Sequence, residues 1–257
     1  MKNVLDEWEK TRSVFMDPVF LMTDFDGTLT PIVGNPDEAK LSEEMRGLIS
    51  QLVPLCPVGI ISGRSLLDLR LKVGVKNVYY SGNHGFEIEG PGVDFVLGEV
   101  EGVNKLIDEF CSEFRDKADV EDVVLENKGY TASVHYRLVS PDKIQRVRNV
   151  FGKVAQPYIE SGDLRVTEGK KIFEIRPSVD WDKGKAVSYL LTELNFEEET
   201  LPIYLGDDST DEDAFKTIEE GIGIFVGEKR DNTMADYFLT GVKEVETFLR
   251  KLVGILR

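Results

Sequence analysis

The sequence predicts an α/β fold, a Rossmann-like parallel sheet covered by helices and interrupted by an inserted αββαββ unit. Three observations lead there. Short apolar runs (VFLMT, VGII, PIYL, IGIFV) alternate with helix-like stretches. They are apolar throughout, as strands buried on both faces of a parallel sheet must be. The middle of the chain instead shows residue-by-residue alternation, the period of strands with one buried face. Finally, 257 residues exceed the common domain size of about 100–150, so one large domain or two smaller ones can form.

Taken in order, Val19 to Thr23 reads as a buried strand. Leu41 to Leu55 reads as a helix, with Ser42 as N-cap before Glu43 and Glu44. Val58 to Ile61 and Asn77 to Tyr80 read as the next two strands. Pro202 to Leu205 and Ile222 to Val226 follow near the other end, separated by the helix-like DEDAFKTIEE. The last stretch, VETFLRKLVGILR, has helical apolar spacing and reads as a core-packed terminal helix.

Between these halves, Val103, Leu106, Ile107, Phe110, Cys111 and Phe114 lie at helical spacing. VVLENK and YTASVHYRL form a hairpin through Gly129. Ile144, Val147, Val150, Phe151 and Val154 mark a second helix, and LRVTE and KKIFEIR a second hairpin through Gly169. The expected domains are therefore a core of residues 1–99 and 178–257 and an insertion of residues 100–177. Strand alternation gives the small sheet one apolar face, with Phe173 and Ile175. Its other face is polar, with Lys170, Glu174 and Arg176; Glu126 and Lys128 share a face, as do His135 and Arg137. Ile172 breaks the pattern. Such a face is either simply solvated or a roof that hydrogen-bonds a polar ligand.

The formal net charge of -16 argues against nucleic acid, whose phosphates must be neutralised by Lys and Arg. It says little about a small substrate, because global charge mainly sets solubility and encounter. Cys56 and Cys111 sit among core-like residues and read as buried thiols in a reducing compartment. MKNVLDEWEK carries acids and no apolar h-region, and no apolar run nears the ~20 residues of a membrane span. The expectation is a cytoplasmic protein with no signal peptide and no membrane partner.

Four motifs each close a strand or open a helix, and ligands of open α/β sheets bind beyond the carboxyl ends of strands. The first is Asp24-Phe25-Asp26-Gly27-Thr28-Leu29, directly after VFLMT. Two carboxylates two apart can divide labour, one attacking while ionised and the other serving as general acid. Gly27 would permit a sharp turn whose N–H groups meet an anion. An EF-hand is excluded, because Gly27 falls at loop position four and Asn35 at twelve. The second is Ser62-Gly63-Arg64 at the end of VGII, either an ordinary turn or a hydroxyl and N–H for a transferring phosphoryl group.

The third motif, Lys183-Gly184-Lys185-Ala186, opens a helix. Its first lysine is either a surface residue or a counter-charge for the nucleophile. The fourth, Gly206-Asp207-Asp208-Ser209-Thr210-Asp211-Glu212-Asp213, follows PIYL. So many acids repel one another unless a cation sits there, and a hard divalent ion such as Mg²⁺ suits oxygen ligands beside phosphate. A helix dipole would account for Asp211 to Asp213 but not for Asp207.

In this order the four motifs resemble the haloacid dehalogenase superfamily of aspartate-nucleophile phosphatases. The resemblance implies that Asp24 attacks phosphorus and that Asp26 protonates the leaving oxygen and then activates water. Ser62 and Lys183 would hold the phosphoryl oxygens. Asp24, the Asp26 carbonyl and Asp207 would bind Mg²⁺, supported by Asp208 and Asp211.

DFDGTLTPIVGNPDEA, IISGR, GNHGFEI, ENKGYTASVHYR, GKKIFEIRP, DKGKA and YLGDDSTDEDAF further resemble the trehalose-6-phosphate phosphatase family. The insertion would then be that family's cap. Arg64, Asn83, His84, Glu126, Lys128, His135, Lys170 and Glu174 would be candidates to bind trehalose hydroxyls, which need both donors and acceptors. The expectation is a free-standing phosphatase acting on a small sugar phosphate, with a trehalose-6-phosphate synthase as functional partner. Other sugar phosphates (sucrose phosphate, a glycosyl-phosphoglycerate), a phosphomutase, or a catalytically silent binding protein are the competing readings.

Overall fold

The computed structural model describes residues 1–169, 171–194, 200–218 and 220–257. The chain divides into two compact units: Met1–Val33, Asp37–Phe95 and Trp181–Arg257 form the first, and Gly34–Pro36 with Val96–Asp180 the second.

Among the described residues of the first unit, the strands lie in the order Lys2–Asn3, Tyr237–Leu239, Ile222–Val226, Leu201–Gly206, Val19–Thr23, Val58–Ile61, Tyr79–Gly82, Glu87–Gly90, with Val93–Val96 at the edge. The pairings from Lys2–Asn3 through Tyr79–Gly82 are parallel; Glu87–Gly90 then turns back antiparallel. All of Val19–Thr23 is buried. Val19 and Leu21 face one apolar cluster, with Phe15, Phe248 and Leu252, while Phe20 and Met22 face another, with Val187, Leu190 and Phe215. This two-sided burial is what the unbroken apolar runs foretold, at roughly 1.5–3 kcal/mol per buried large side chain.

The helix Glu43–Leu52 starts where expected. The Ser42 side chain accepts from the Met45 N–H, and Met45, Leu48, Ile49 and Leu52 are its buried stripe. It ends at Leu52 rather than Leu55. The strand read at Asn77 to Tyr80 forms instead at Tyr79–Gly82. Asn77 takes a left-handed φ of 61°, a turn conformation, and Ser81 extends the strand by pairing with Ile61.

The second unit holds a four-stranded sheet in the order Val124–Asn127, Ala132–His135, Ile172–Pro177, Leu164–Gly169, antiparallel at each pairing. The helices Val103–Lys117 and Ile144–Glu160 cover its apolar face. Phe173 stacks on Phe151 with centroids 4.5 Å apart, and Ala132, Val134 and Ile175 complete that core. This is the αββαββ order of the sequence pattern.

Candidate active site

Val19–Thr23 and Leu201–Gly206 are neighbours in parallel register, Thr23 opposite Leu205. The chain winds outward from Val19–Thr23 in one direction first and returns to its other flank only at Leu201–Gly206, so a crevice opens where the winding reverses. Asp24 and Asp207 stand directly beyond these strand ends, and the Asp24 N–H still donates to the Leu205 carbonyl at 2.8 Å. Carboxylate oxygens of Asp24, Asp207 and Asp211 all lie within 4.8 Å of one another.

Two glycines make this approach possible. Gly27 has φ +88°, and a Cβ there would overlap the Asp207 carboxylate; a Cβ on Gly206 would overlap that of Asp211. The cradle is closed by backbone, and its donors are carboxylate oxygens. It fits a hard divalent cation.

Lys183, the first residue of the helix Lys183–Glu193, is buried rather than on the surface. Its Nζ reaches Asp24 Oδ1 at 2.9 Å and Asp211 Oδ1 at 2.7 Å. Burial alone would lower its pKa, but the charges of Asp211 and Asp24 outweigh that and hold the ammonium protonated well above the usual range. Burial drives the Asp24 carboxyl the other way, well upward; Asp211 and Asp207 add to the rise and Lys183 opposes it. Tyr204 donates its hydroxyl to Asp211 Oδ1 at 2.8 Å.

Asp208 is not in this cluster. Its carboxylate caps the turn Ser209–Asp211, and its own N–H donates to Asp211 Oδ2 at 2.9 Å. The anion-binding expectation for the Asp24–Leu29 turn is also narrowed. The N–H of Gly27 donates to Thr30, and those of Leu29 and Thr30 to Phe25.

Ser62 is buried, and its Oγ accepts from the Arg64 N–H at 3.2 Å. Arg64 reaches across to Asp26, Nε to Oδ2 at 2.6 Å and Nη2 to Oδ1 at 2.7 Å, while Nη1 meets Asp68 Oδ2 at 2.6 Å. The turn that follows clamps this loop: Asn83 N–H donates to the Arg64 carbonyl and His84 N–H to that of Ser62. Asn83 and His84 are left-handed at φ 50° and 58°, and the His84 ring fills the space where a Cβ on Gly63 would be. Fully buried Asn83 donates its amide to Glu87 Oε2 at 2.7 Å.

The second unit's polar face assembles as alternation requires. Glu126, Ser133 and Glu174 are in cross-strand register, as are Val124, His135 and Ile172. His135 Nε2 lies 3.1 Å from Glu126 Oε2, and Lys128 Nζ donates to Glu174 Oε1 at 3.0 Å. Ser133 Oγ is 3.4 Å from the same oxygen. Lys170 lies outside the described residues.

Tyr204 and Asp68 escaped the sequence reading. Tyr204 was hidden in an apolar strand, although a buried phenol needs a partner. Asp68 was visible in principle, four residues after Arg64 on helix Leu66–Val73.

The sheet order, the strand-end acids and the inserted unit define a haloacid-dehalogenase-type α/β fold. Two solved structures share it over nearly the whole chain. A trehalose-6-phosphate phosphatase related protein matches at TM-score 0.80 and 24% identity, covering 92% of this chain and 97% of its own. The C-terminal domain of C. albicans trehalose-6-phosphate phosphatase matches at TM-score 0.80 and 23% identity, covering 99% and 98%. The trehalose-phosphatase family model matches residues 22–243, and the chain belongs to that family. A probable trehalose-phosphate phosphatase 4 of Oryza sativa subsp. japonica is 37% identical over 245 residues, and trehalose-phosphate phosphatase B of Arabidopsis thaliana 35% over 250. In each case 91% of this chain is covered, and the match spans 66% of the relative's length.

Proposed function

We propose that the chain hydrolyses trehalose 6-phosphate to trehalose and phosphate, with Mg²⁺ as the resident cation. The observation that carries this reading is the convergence of Asp24, Asp207 and Asp211 on one spot beside Lys183. The names of the plant relatives support the choice of substrate.

Asp24 attacks phosphorus, forming an aspartyl-phosphate as the bond from phosphorus to the sugar oxygen breaks. Asp26 gives the departing oxygen its proton, then takes one from the water that attacks the aspartyl-phosphate, and Asp24 is released with inorganic phosphate. Lys183 keeps its proton throughout and offsets the phosphoryl charge, with Ser62 contributing its hydroxyl. Mg²⁺, held by Asp24, Asp207 and the Asp26 carbonyl with Asp211 behind them, would neutralise charge as one anion approaches another.

The second unit serves as the cap, residues 100–177 in the sequence reading, and Glu126, Lys128, His135 and Glu174 contact the sugar. A trehalose-6-phosphate synthase supplies the substrate. Two buried free thiols suit a reducing, cytoplasmic setting. Among the described residues no helix is long and apolar enough to cross a membrane.

The test is Mg²⁺-dependent phosphate release from trehalose 6-phosphate beside sucrose, glucose and mannosylglycerate phosphates. At least tenfold preference for the trehalose ester is expected. Equal rates across the panel would leave a general sugar phosphatase, and no release from any would remove the activity.

A further inference from the structure

Arg64 entered the sequence reading as a candidate for a sugar hydroxyl, but its surroundings give it other work. The guanidinium side chain is 6% exposed. Nε and Nη2 grip both oxygens of Asp26 in a fork, and Nη1 is bonded to Asp68. The Phe25 ring lies 5.3 Å from its Cζ. Its backbone is fixed at both ends, N–H to Ser62 Oγ and carbonyl from Asn83 N–H.

Asp68 is anchored in turn. It sits in the first turn of Leu66–Val73, where Ser65 Oγ caps its N–H at 3.3 Å. A rigid arm thus runs from a capped helix through Asp68 and Arg64 to the carboxylate of Asp26. Asp26 itself is 36% exposed at its side chain, so the lone pairs that the fork leaves unused remain an open edge of the carboxylate. Two parallel N–H···O bonds fix the rotation of a carboxylate in a way that a lysine's point charge cannot.

We propose that Arg64 is a positioning residue for Asp26, with Asp68 as its anchor, holding the carboxylate so that its open edge addresses the leaving oxygen and then the attacking water. The inference rests on Asp26 being the proton donor and acceptor of the proposed hydrolysis. It makes a claim that reading does not contain: removing Arg64 matters only through Asp26. A carboxylate that moves protons contributes about 10²–10⁴ in rate, and most of this depends on where its oxygens lie.

The experiment is a double-mutant cycle on the whole chain with Mg²⁺. Wild type, R64K, D26N and the double variant are compared for kcat and KM on trehalose 6-phosphate. Pre-steady-state release of nitrophenol from 4-nitrophenyl phosphate, whose leaving group departs without a proton, is measured alongside. R64K should lower kcat on the sugar ester by about 10- to 100-fold with KM within about threefold, and should add less than about threefold in the D26N background. The nitrophenol burst rate should stay within about threefold of wild type.

Full additivity in the double variant overturns the proposal, as does a raised KM at unchanged kcat, which would make Arg64 a sugar contact. If R64K does not fold by its thermal transition, D68N carries the same test. It should lose about three- to tenfold on the sugar ester, and lose nothing further once Asp26 is Asn. Wild type inactive on trehalose 6-phosphate, or D26N fully active, would instead defeat the underlying reading, and the inference with it.

Discussion

In the first unit the carboxylates of Asp24, Asp207 and Asp211 converge, and two of them, Asp24 and Asp211, share the ammonium of Lys183. In the second unit carboxylates meet nitrogen donors across neighbouring strands, Glu174 with Lys128 and Glu126 with His135. The first arrangement is out of balance, and burial magnifies the imbalance, because charge repulsion grows as solvent is excluded. It asks for a cation. The second pairs each carboxylate with a nitrogen donor of its own, and Lys128 and Glu174 are held largely out of solvent.

The comparison can be broken most forcefully at Asp24. D24N should reduce turnover by at least about 10⁴-fold while leaving the thermal transition within a few degrees of wild type. Phosphate release near the wild-type rate in that variant would show that the crowded acids are not chemical. K183A comes next. It strands Asp24 and Asp211 without their ammonium, and removal of one partner of a buried pair costs about 3–5 kcal/mol. The loss should appear in chelator-treated protein by denaturant titration, and Mg²⁺ should restore part of it. A loss below about 1 kcal/mol would mean that the cluster is wetter than its burial implies.

K128A sharpens the other side. The pair is nearly as buried as the first, at 7% and 12% side-chain exposure, but Glu174 keeps Ser133 as a neighbour, so stability should fall by about 1–3 kcal/mol. Activity on trehalose 6-phosphate should fall by about tenfold or more, with 4-nitrophenyl phosphate changed less than about threefold. Equal losses on both esters would make the polar face merely solvated.

An effect confined to alkaline pH belongs to the thiols, one in each unit. Burial pushes Cys56 up to about 12 and Cys111 up to about 11 from an ordinary 9.0. The folded chain therefore holds protons that the unfolded chain releases. The resulting stabilisation is intact below pH 9 and declines as pH rises through the interval to about 12. Equilibrium unfolding of C56A and wild type between pH 8 and 11 checks this: the wild type should lose more stability over that range. Parallel curves would refute the burial argument.

Much of this was legible in the sequence, for identifiable reasons. Val19–Thr23, Val58–Ile61 and Ile222–Val226 were read to the residue because strands buried on both faces leave an unbroken apolar signature. Ser42 announced its helix through capping chemistry. Asp24 and Asp207 were visible because each directly follows a strand, and Asp211 only through the acid-rich run behind Asp207. What stayed hidden depends on side chains reaching across the fold. Asp208 looks like Asp207 in sequence, yet one turns to cap a local helix and the other faces the cluster. Arg64 and Asn83 looked available to a ligand until neighbours distant in sequence, or locally folded back, engaged them.

The pairing of Thr23 with Leu205 also has a consequence for biosynthesis. Asp24, the proposed nucleophile, is made long before Asp207, and the two cannot meet until the strand Leu201–Gly206 has emerged from the ribosome. Until then Asp24 lacks its fellow acids Asp207 and Asp211. The earliest-made chemical group is thus assembled among the last, and a polypeptide stopped before Leu201 would display the opening signature with no place to lodge an ion.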